Sequence, residues 1–114
     1  MTDLNKVIIT GILTQDVELR YLPDGTKTAN LRVAIHRKYK TKSGEIKQET
    51  EFVTAVVWKV LAETCAKYLK KGSKVLVEGR LKTREYEKNQ QKRSVTEIIA
   101  EDVQFMNILE KKEG

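Results

Sequence analysis

At 114 residues the chain is long enough for one domain with a single modest core and too short for two. Its 22 Lys and Arg against 16 Asp and Glu give a net charge of +6, which favours polyanionic partners and says nothing about fold. A single cysteine (Cys65) and a single histidine (His36) exclude an intramolecular disulfide and a Cys/His zinc site, and no apolar run approaches the ~20 residues of a membrane-spanning helix.

Residues 5–13, NKVIITGIL, form a β-branched run that predicts a strand with a bend at Gly11. LPDGT at 22–26 carries Pro and Gly at turn positions and predicts a tight hairpin. The next strand alternates: Ala29, Leu31, Val33 and Ile35 face a core, while Thr28, Asn30, Arg32, His36 and Lys38 face away, with Ala34 the exception. A lysine-rich loop around Lys42-Ser43-Gly44 leads into a strand over 45–58. There Phe52, Thr54, Val56 and Trp58 share one face and Val53, Ala55 and Val57 the other. Both faces carry apolar groups, so the second is expected to be half covered.

Over 59–71 the period changes. Leu61, Cys65 and Leu69, with Ala62 and Ala66 beside them, make a helical stripe, and Lys70-Lys71-Gly72 predicts its C-terminus. Strand character returns at 73–81 and continues as a long polar hairpin that turns near Asn89-Gln90, with residues 103–109 a further strand or an irregular tail. Three strands, one helix, then two or more strands predict an all-β protein with one helix. The layout is that of an OB-fold, a five-stranded Greek-key barrel with the helix between strands 3 and 4 and long β-hairpins. Residues 1–108 form this domain, and 109–114 are a short, flexible C-terminal remnant.

One face of the fourth strand reads Arg80, Lys82, Arg84, Tyr86, a rail of cations capped by an aromatic; the plain alternative is a solvated strand edge. Tyr39 and Phe52 stand at the two mouths of the lysine-rich loop, and Trp58 follows on the Phe52 face. Tyr39, Phe52, Trp58 and Tyr86 are therefore expected along one groove fed by these cations and the loop lysines. Single-stranded nucleic acid needs that combination, since cations follow phosphates and ring faces stack bases without reading sequence. RNA satisfies the same requirement. A core role is the alternative for Trp58 and the better reading for Tyr68 and Phe105. No catalytic constellation emerges: His36 is alone on a polar face, Cys65 lies on the apolar helix stripe, and GRLKTR lacks the spacing of a phosphate loop. The reading is a non-enzyme with no metal and no cofactor.

NKVIITGILTQDVELRYLPDGT, TANLRVAI, GEIKQETEF, VVWKVLAE, YLKKGSKVLVEGRLKTREY and TEIIAEDVQFM together resemble, in order over about residues 5–108, the bacterial-type single-stranded-DNA-binding proteins. The resemblance implies an OB-fold homo-oligomer, most often a tetramer, that coats and protects single-stranded DNA during replication, recombination and repair. It puts the stacking aromatics on Tyr39, Phe52, Trp58 and Tyr86 and basic contacts on Lys6, Lys71 and Arg84. Arg37, Lys42, Arg80 and Lys82 complete the expected phosphate-contacting set. Where the family often has WRKLAE this chain has WKVLAE, so Lys59 stands in for a cation replaced by Val60. The acidic, aromatic-ended tip through which such proteins recruit replication or repair partners is not among these residues. The alternative function is an OB-fold primosome or recombination accessory protein acting mainly through protein contacts. The expected location is cytoplasmic and nucleoid-associated, with no membrane, and an organelle matrix stays open.

Overall fold

In the computed structural model, which describes residues 2–106, the β-branched run at the N-terminus forms β1 (Val7–Leu13). It is followed by the two-residue β2 (Arg20–Tyr21), β3 (Lys27–Lys40) and β4 (Ile46–Trp58). Then come the helix α1 (Lys59–Tyr68), β5 (Lys74–Lys88) and β6 (Gln91–Phe105). The sheet runs β1-β5-β6-β4-β3-β2, and β1 also pairs with β3. That last pairing closes the five long strands into a barrel, with the helix between the third and fourth of them, as the sequence predicts for an OB-fold. The β4–β6 pairing is parallel and the others are antiparallel. α1 is far too short to cross a membrane.

The alternation read from β3 and β4 is the alternation of the core. Ala29, Leu31 and Val33 of β3 and Ala55 and Val57 of β4 are buried, and Val75 and Val77 of β5 meet them. α1 adds Ala62 and Cys65 from its apolar stripe, so it plugs the barrel rather than lying beside it. Both predicted turns form. Leu22 and Gly25 close the LPDGT turn, with the Gly25 N–H donating to the Leu22 carbonyl at 2.8 Å. Asn89 and Gln90, at φ 54° and 65°, make the two-residue turn between β5 and β6.

Two glycines allow the closure. β1 pairs with β5 from Val7 to Ile12 and with β3 at Ile12 and Leu13, so it changes partners just after Gly11. A Cβ on Gly11 would lie 2.5 Å from both the Ala34 carbonyl oxygen and Val33 Cγ1. Gly79 is tighter still, its absent Cβ falling 2.1 Å from the Ile99 carbonyl oxygen, at the point where the β5–β6 register slips by a β-bulge.

Three details differ from the sequence reading. The helix ends at Tyr68, not at 71, and Leu69 is already extended (φ −103°, ψ 148°) while still buried. Gly72 is not the helix cap: it stands at φ 93° in a turn whose Ser73 N–H donates to the Lys70 carbonyl at 3.0 Å. The turn is pinned to β1, Gly72 N–H donating to the Leu13 carbonyl and Leu13 N–H to that of Ser73, both at 2.9 Å, and those bonds take the segment out of the helix. Residues 103–105 belong to β6 and are no separate strand; 107–109 and the expected remnant at 109–114 lie outside the described residues. Tyr68, expected in the core, is exposed, its ring 6.3 Å from that of the partly buried Phe105.

Gly79→Ala should lower the unfolding free energy by about 1–3 kcal/mol, because the intruding methyl meets backbone that cannot rotate away. Urea denaturation followed by circular dichroism measures this, and an unchanged midpoint would contradict the assigned role of the glycine.

Candidate nucleic-acid interface

Residues opposite one another across paired strands share a face. Trp58 faces Thr28, Val56 faces Asn30, Thr54 faces Arg32 and Phe52 faces Ala34, all on the outer side of the β3–β4 pair. The parallel match of Val56 with Ile99 carries this face onto β6. From there Arg80 opposite Ile99, Lys82 opposite Glu97, Arg84 opposite Val95 and Tyr86 opposite Arg93 carry it onto β5. Phe52, Trp58 and Tyr86 thus lie on one outer face, at 55%, 37% and 41% exposure. Trp58 is consequently no core tryptophan.

A cleft of about 530 Å³ opens on this face. Val56 and Ile99, on the two central strands, lie between Trp58 and Asn30 on one side and Lys82 and Arg84 on the other. Guanidinium groups back two of the rings: Arg32 stands 5.5 Å from the Phe52 centroid and Arg84 5.7 Å from that of Tyr86. Tyr21 of β2 also lines the cleft and is well exposed. Sequence reasoning missed it, because a two-residue strand shows no alternation. The signal was its place immediately before the LPDGT turn, which pairs Tyr21 with Lys27 and Arg20 with Thr28 at the edge of the cleft.

Tyr39 does not join the other three aromatics. It pairs with Lys47, and the β3–β4 register runs unbroken from Ala34 opposite Phe52 to Lys40 opposite Ile46, so its odd parity puts it on the reverse side of the hairpin. There Arg37 backs it at 5.3 Å and pairs with Glu49 at 3.2 Å. Lys38 and His36 occupy the Phe52 side, with His36 Nδ1 at 3.0 Å from Thr50 Oγ1.

The expected phosphate-contacting cations fall into three groups. Arg80, Lys82 and Arg84 lie on the Trp58 face, and Lys59 follows Trp58 directly. Lys59 adopts φ 57°, a left-handed backbone that a side chain makes costly, and so turns the chain sharply from β4 into α1. Lys42 is exposed in the turn between β3 and β4, while Arg37 is on the reverse side. Lys6, just ahead of β1, is ion-paired with Glu78, whose hydrogen bond and charge hold the ammonium pKa above its ordinary value. Lys71 lies in the turn after α1, where its backbone N–H donates to Asp16 Oδ1 at 2.8 Å. Arg84 is raised likewise by its hydrogen bonds to Glu97. Cys65 is fully buried, and burial pushes its thiol up to about 11, far from a nucleophile's range.

Residues 4–106 match the family described as "Single-strand binding protein family". Among relatives, the chain is 47% identical over 104 residues to a single-stranded DNA-binding protein of Halalkalibacterium halodurans, covering 90% of this chain and 61% of that one. It is also 47% identical over 112 residues to single-stranded DNA-binding protein A of Bacillus subtilis, covering 97% of this chain and 62% of that one. The chain therefore spans about three-fifths of the length of these relatives. Among solved structures, "Plasmodium falciparum SSB complex with ssDNA" superposes with a TM-score of 0.85 at 29% identity, covering 94% of this chain and 98% of that one. The single-stranded DNA binding protein from Thermus aquaticus, a deletion mutant, superposes at 0.82 and 29% identity, covering 93% and 52%.

Two stability measurements follow from this local geometry. Lys59→Gly should raise the unfolding free energy by ~0.5–1 kcal/mol, relieving the left-handed strain against the added freedom of the unfolded glycine. The Cys65 thiol should react with a thiol reagent at neutral pH only at the rate of unfolding, and rapid labelling of the folded protein would contradict its burial.

Proposed function

Because the chain belongs to the single-strand binding protein family, we propose that it coats single-stranded DNA with little sequence preference, by stacking bases on aromatic rings bordered by cations. The observation that carries this reading is the common outer face of Phe52, Trp58 and Tyr86, crossed by the Arg80, Lys82 and Arg84 rail. Every base has a π face, so stacking at about 1–3 kcal/mol per base tolerates any sequence, while phosphates track Arg80, Lys82 and Lys59. Tyr39, on the reverse side with Arg37, serves a strand that passes around the β3–β4 hairpin and contributes less. Lys42 at the hairpin tip, and Lys6 and Lys71 nearer β1, extend the phosphate path beyond the cleft.

The protein acts as a binder and not as an enzyme, in replication, recombination and repair, and it works as a homo-oligomer, a tetramer. Protection follows from the chemistry of the contact, since a stacked base and a neutralised phosphate are both withheld from pairing and from nucleases. The outer face of the sheet supports this reading over that of an accessory protein. Three exposed rings beside a row of cations suit a polymer that brings both bases and phosphates.

Titrating oligo(dT) should quench the fluorescence of Trp58, the single tryptophan, while a duplex control should not. Trp58→Ala should weaken oligo(dT) binding by about 1–3 kcal/mol, roughly 5- to 150-fold, and Tyr39→Ala by less. Unchanged fluorescence and unchanged hydrodynamic size on adding oligo(dT) would overturn the reading and favour an accessory protein that works through protein contacts.

A further inference from the structure

Three arginines stand over aromatic rings on the two long hairpins, and they differ in what else holds them. Arg37, 5.3 Å from the Tyr39 centroid, is paired with Glu49, and Arg84, 5.7 Å from that of Tyr86, is held by Glu97. Arg32, 5.5 Å from the Phe52 centroid, has no carboxylate partner among the described residues. Its Nη1 donates to Thr54 Oγ1 at 3.3 Å, which leaves most of the guanidinium N–H donors free. The side chain is exposed on the outer side of β3. Thr54 and Phe52 thus fix where the charge points without neutralising it.

Its place between two rings gives this charge a use. Phe52 and Trp58 are six residues apart on β4, about 20 Å along the strand, so a polymer that stacks bases on both carries several phosphates over the surface between them. The outward-facing positions there are Thr54 and Val56 on β4 and, opposite them, Arg32 and Asn30 on β3. Arg32 is the cation among the four. The Arg80, Lys82 and Arg84 rail lies on β5, beyond β6, and Lys38 lies past Phe52 toward the hairpin tip. We propose that Arg32 is a phosphate-binding residue that takes the backbone of the segment passing from Phe52 to Trp58, while the open side of Phe52 takes a base. The proposal rests on the single-stranded DNA reading above and deepens it, adding an anchor on β3 to the rail on β5. A guanidinium with no carboxylate partner meets a phosphate without first giving up an ion pair, as Arg37 and Arg84 have to do.

The test is the salt dependence of oligo(dT) binding. Each phosphate neutralised on a single strand contributes about −0.7 to the slope of log K against log salt. Arg32→Met should make that slope shallower by ~0.7 and weaken binding roughly fivefold at low salt, while Arg32→Lys keeps most of the slope. Arg32→Gln, which keeps a donor for Thr54, should shift the slope as Arg32→Met does. Lys67→Met removes the same charge from α1, where Lys67 stands over Tyr68, and should leave the slope as it is. If Arg32 served only to orient Phe52, its loss would weaken binding equally at every salt concentration. An unchanged slope in Arg32→Met and Arg32→Gln, with or without a loss of affinity, would therefore overturn the proposal, as would an equal shift in Lys67→Met. Failure of the unaltered protein to bind oligo(dT) at any salt would overturn the single-strand reading and this proposal together, whereas binding with an unchanged slope in the variants overturns the proposal alone.

Discussion

Closure of the barrel at β1 is the constraint on which the rest depends. One strand has to pair with β5 along most of its length and with β3 at its end, and that is possible only where backbones approach without side chains between them. Gly11 supplies the approach of β1 to β3, and Gly79 a second close approach, of β5 to β6. The bulge at Gly79 matters further along. Glu78 lies opposite Asp102 and Gly79 opposite Ala100, so Glu101 is left over on β6 and the strand bends. Beyond that bend the regular pairing of β5 resumes, and it is this resumed register that presents Arg80, Lys82, Arg84 and Tyr86 to the same side as Trp58. The core thus sets the phase of the outer face.

Most of this architecture was legible in the sequence because it is written in periods. The two-residue period of Ala29, Leu31 and Val33 and the helical spacing of Leu61 and Cys65 report burial directly, and Pro, Gly and Asn mark the turns between them. The faces of the candidate site were legible to the same degree within each strand: parity puts Phe52 with Trp58 and Lys82 with Arg84 and Tyr86, while their meeting on one outer face depends on the long-range β4–β6 pairing. Tyr39 was misplaced because its position at the loop's mouth was weighed above its parity, although the alternation puts it opposite Phe52 across the thickness of the hairpin. The end of the helix was hidden for another reason. Lys70-Lys71-Gly72 has the composition of a helix terminus, but the turn there is set by hydrogen bonds to Leu13, a residue some sixty positions away, and no local pattern encodes that. Tyr21 escaped notice because β2 is held by its turn rather than by burial.

The net charge is a poor guide to where positive potential lies. Lys6, Lys27, Arg37 and Arg84 are each engaged by a carboxylate, Glu78, Glu63, Glu49 and Glu97 in turn. The three more exposed pairs, those of Lys6, Lys27 and Arg37, add at most about 1 kcal/mol of stability each, so their effect is chiefly to fix where side chains point. Lys27 with Glu63 ties the start of β3 to α1, and Arg84 with Glu97 spans the two long strands of the rail. Among the described residues, Arg20 and Lys82 line the cleft outside any ion pair, with Arg80 and Lys59 beside them, and they form a border rather than a carpet. This face has cations at its rim and Trp58, Val56 and Ile99 at its centre.

The guanidinium groups behind the aromatic rings also limit how a ligand can meet them. Arg32 covers one side of Phe52, Arg37 one side of Tyr39 and Arg84 one side of Tyr86. Each of these rings therefore has a single open side, and none can be sandwiched between two planar partners unless its arginine first moves away. A planar group that met one of these rings would lie on the side away from its arginine, in a single layer.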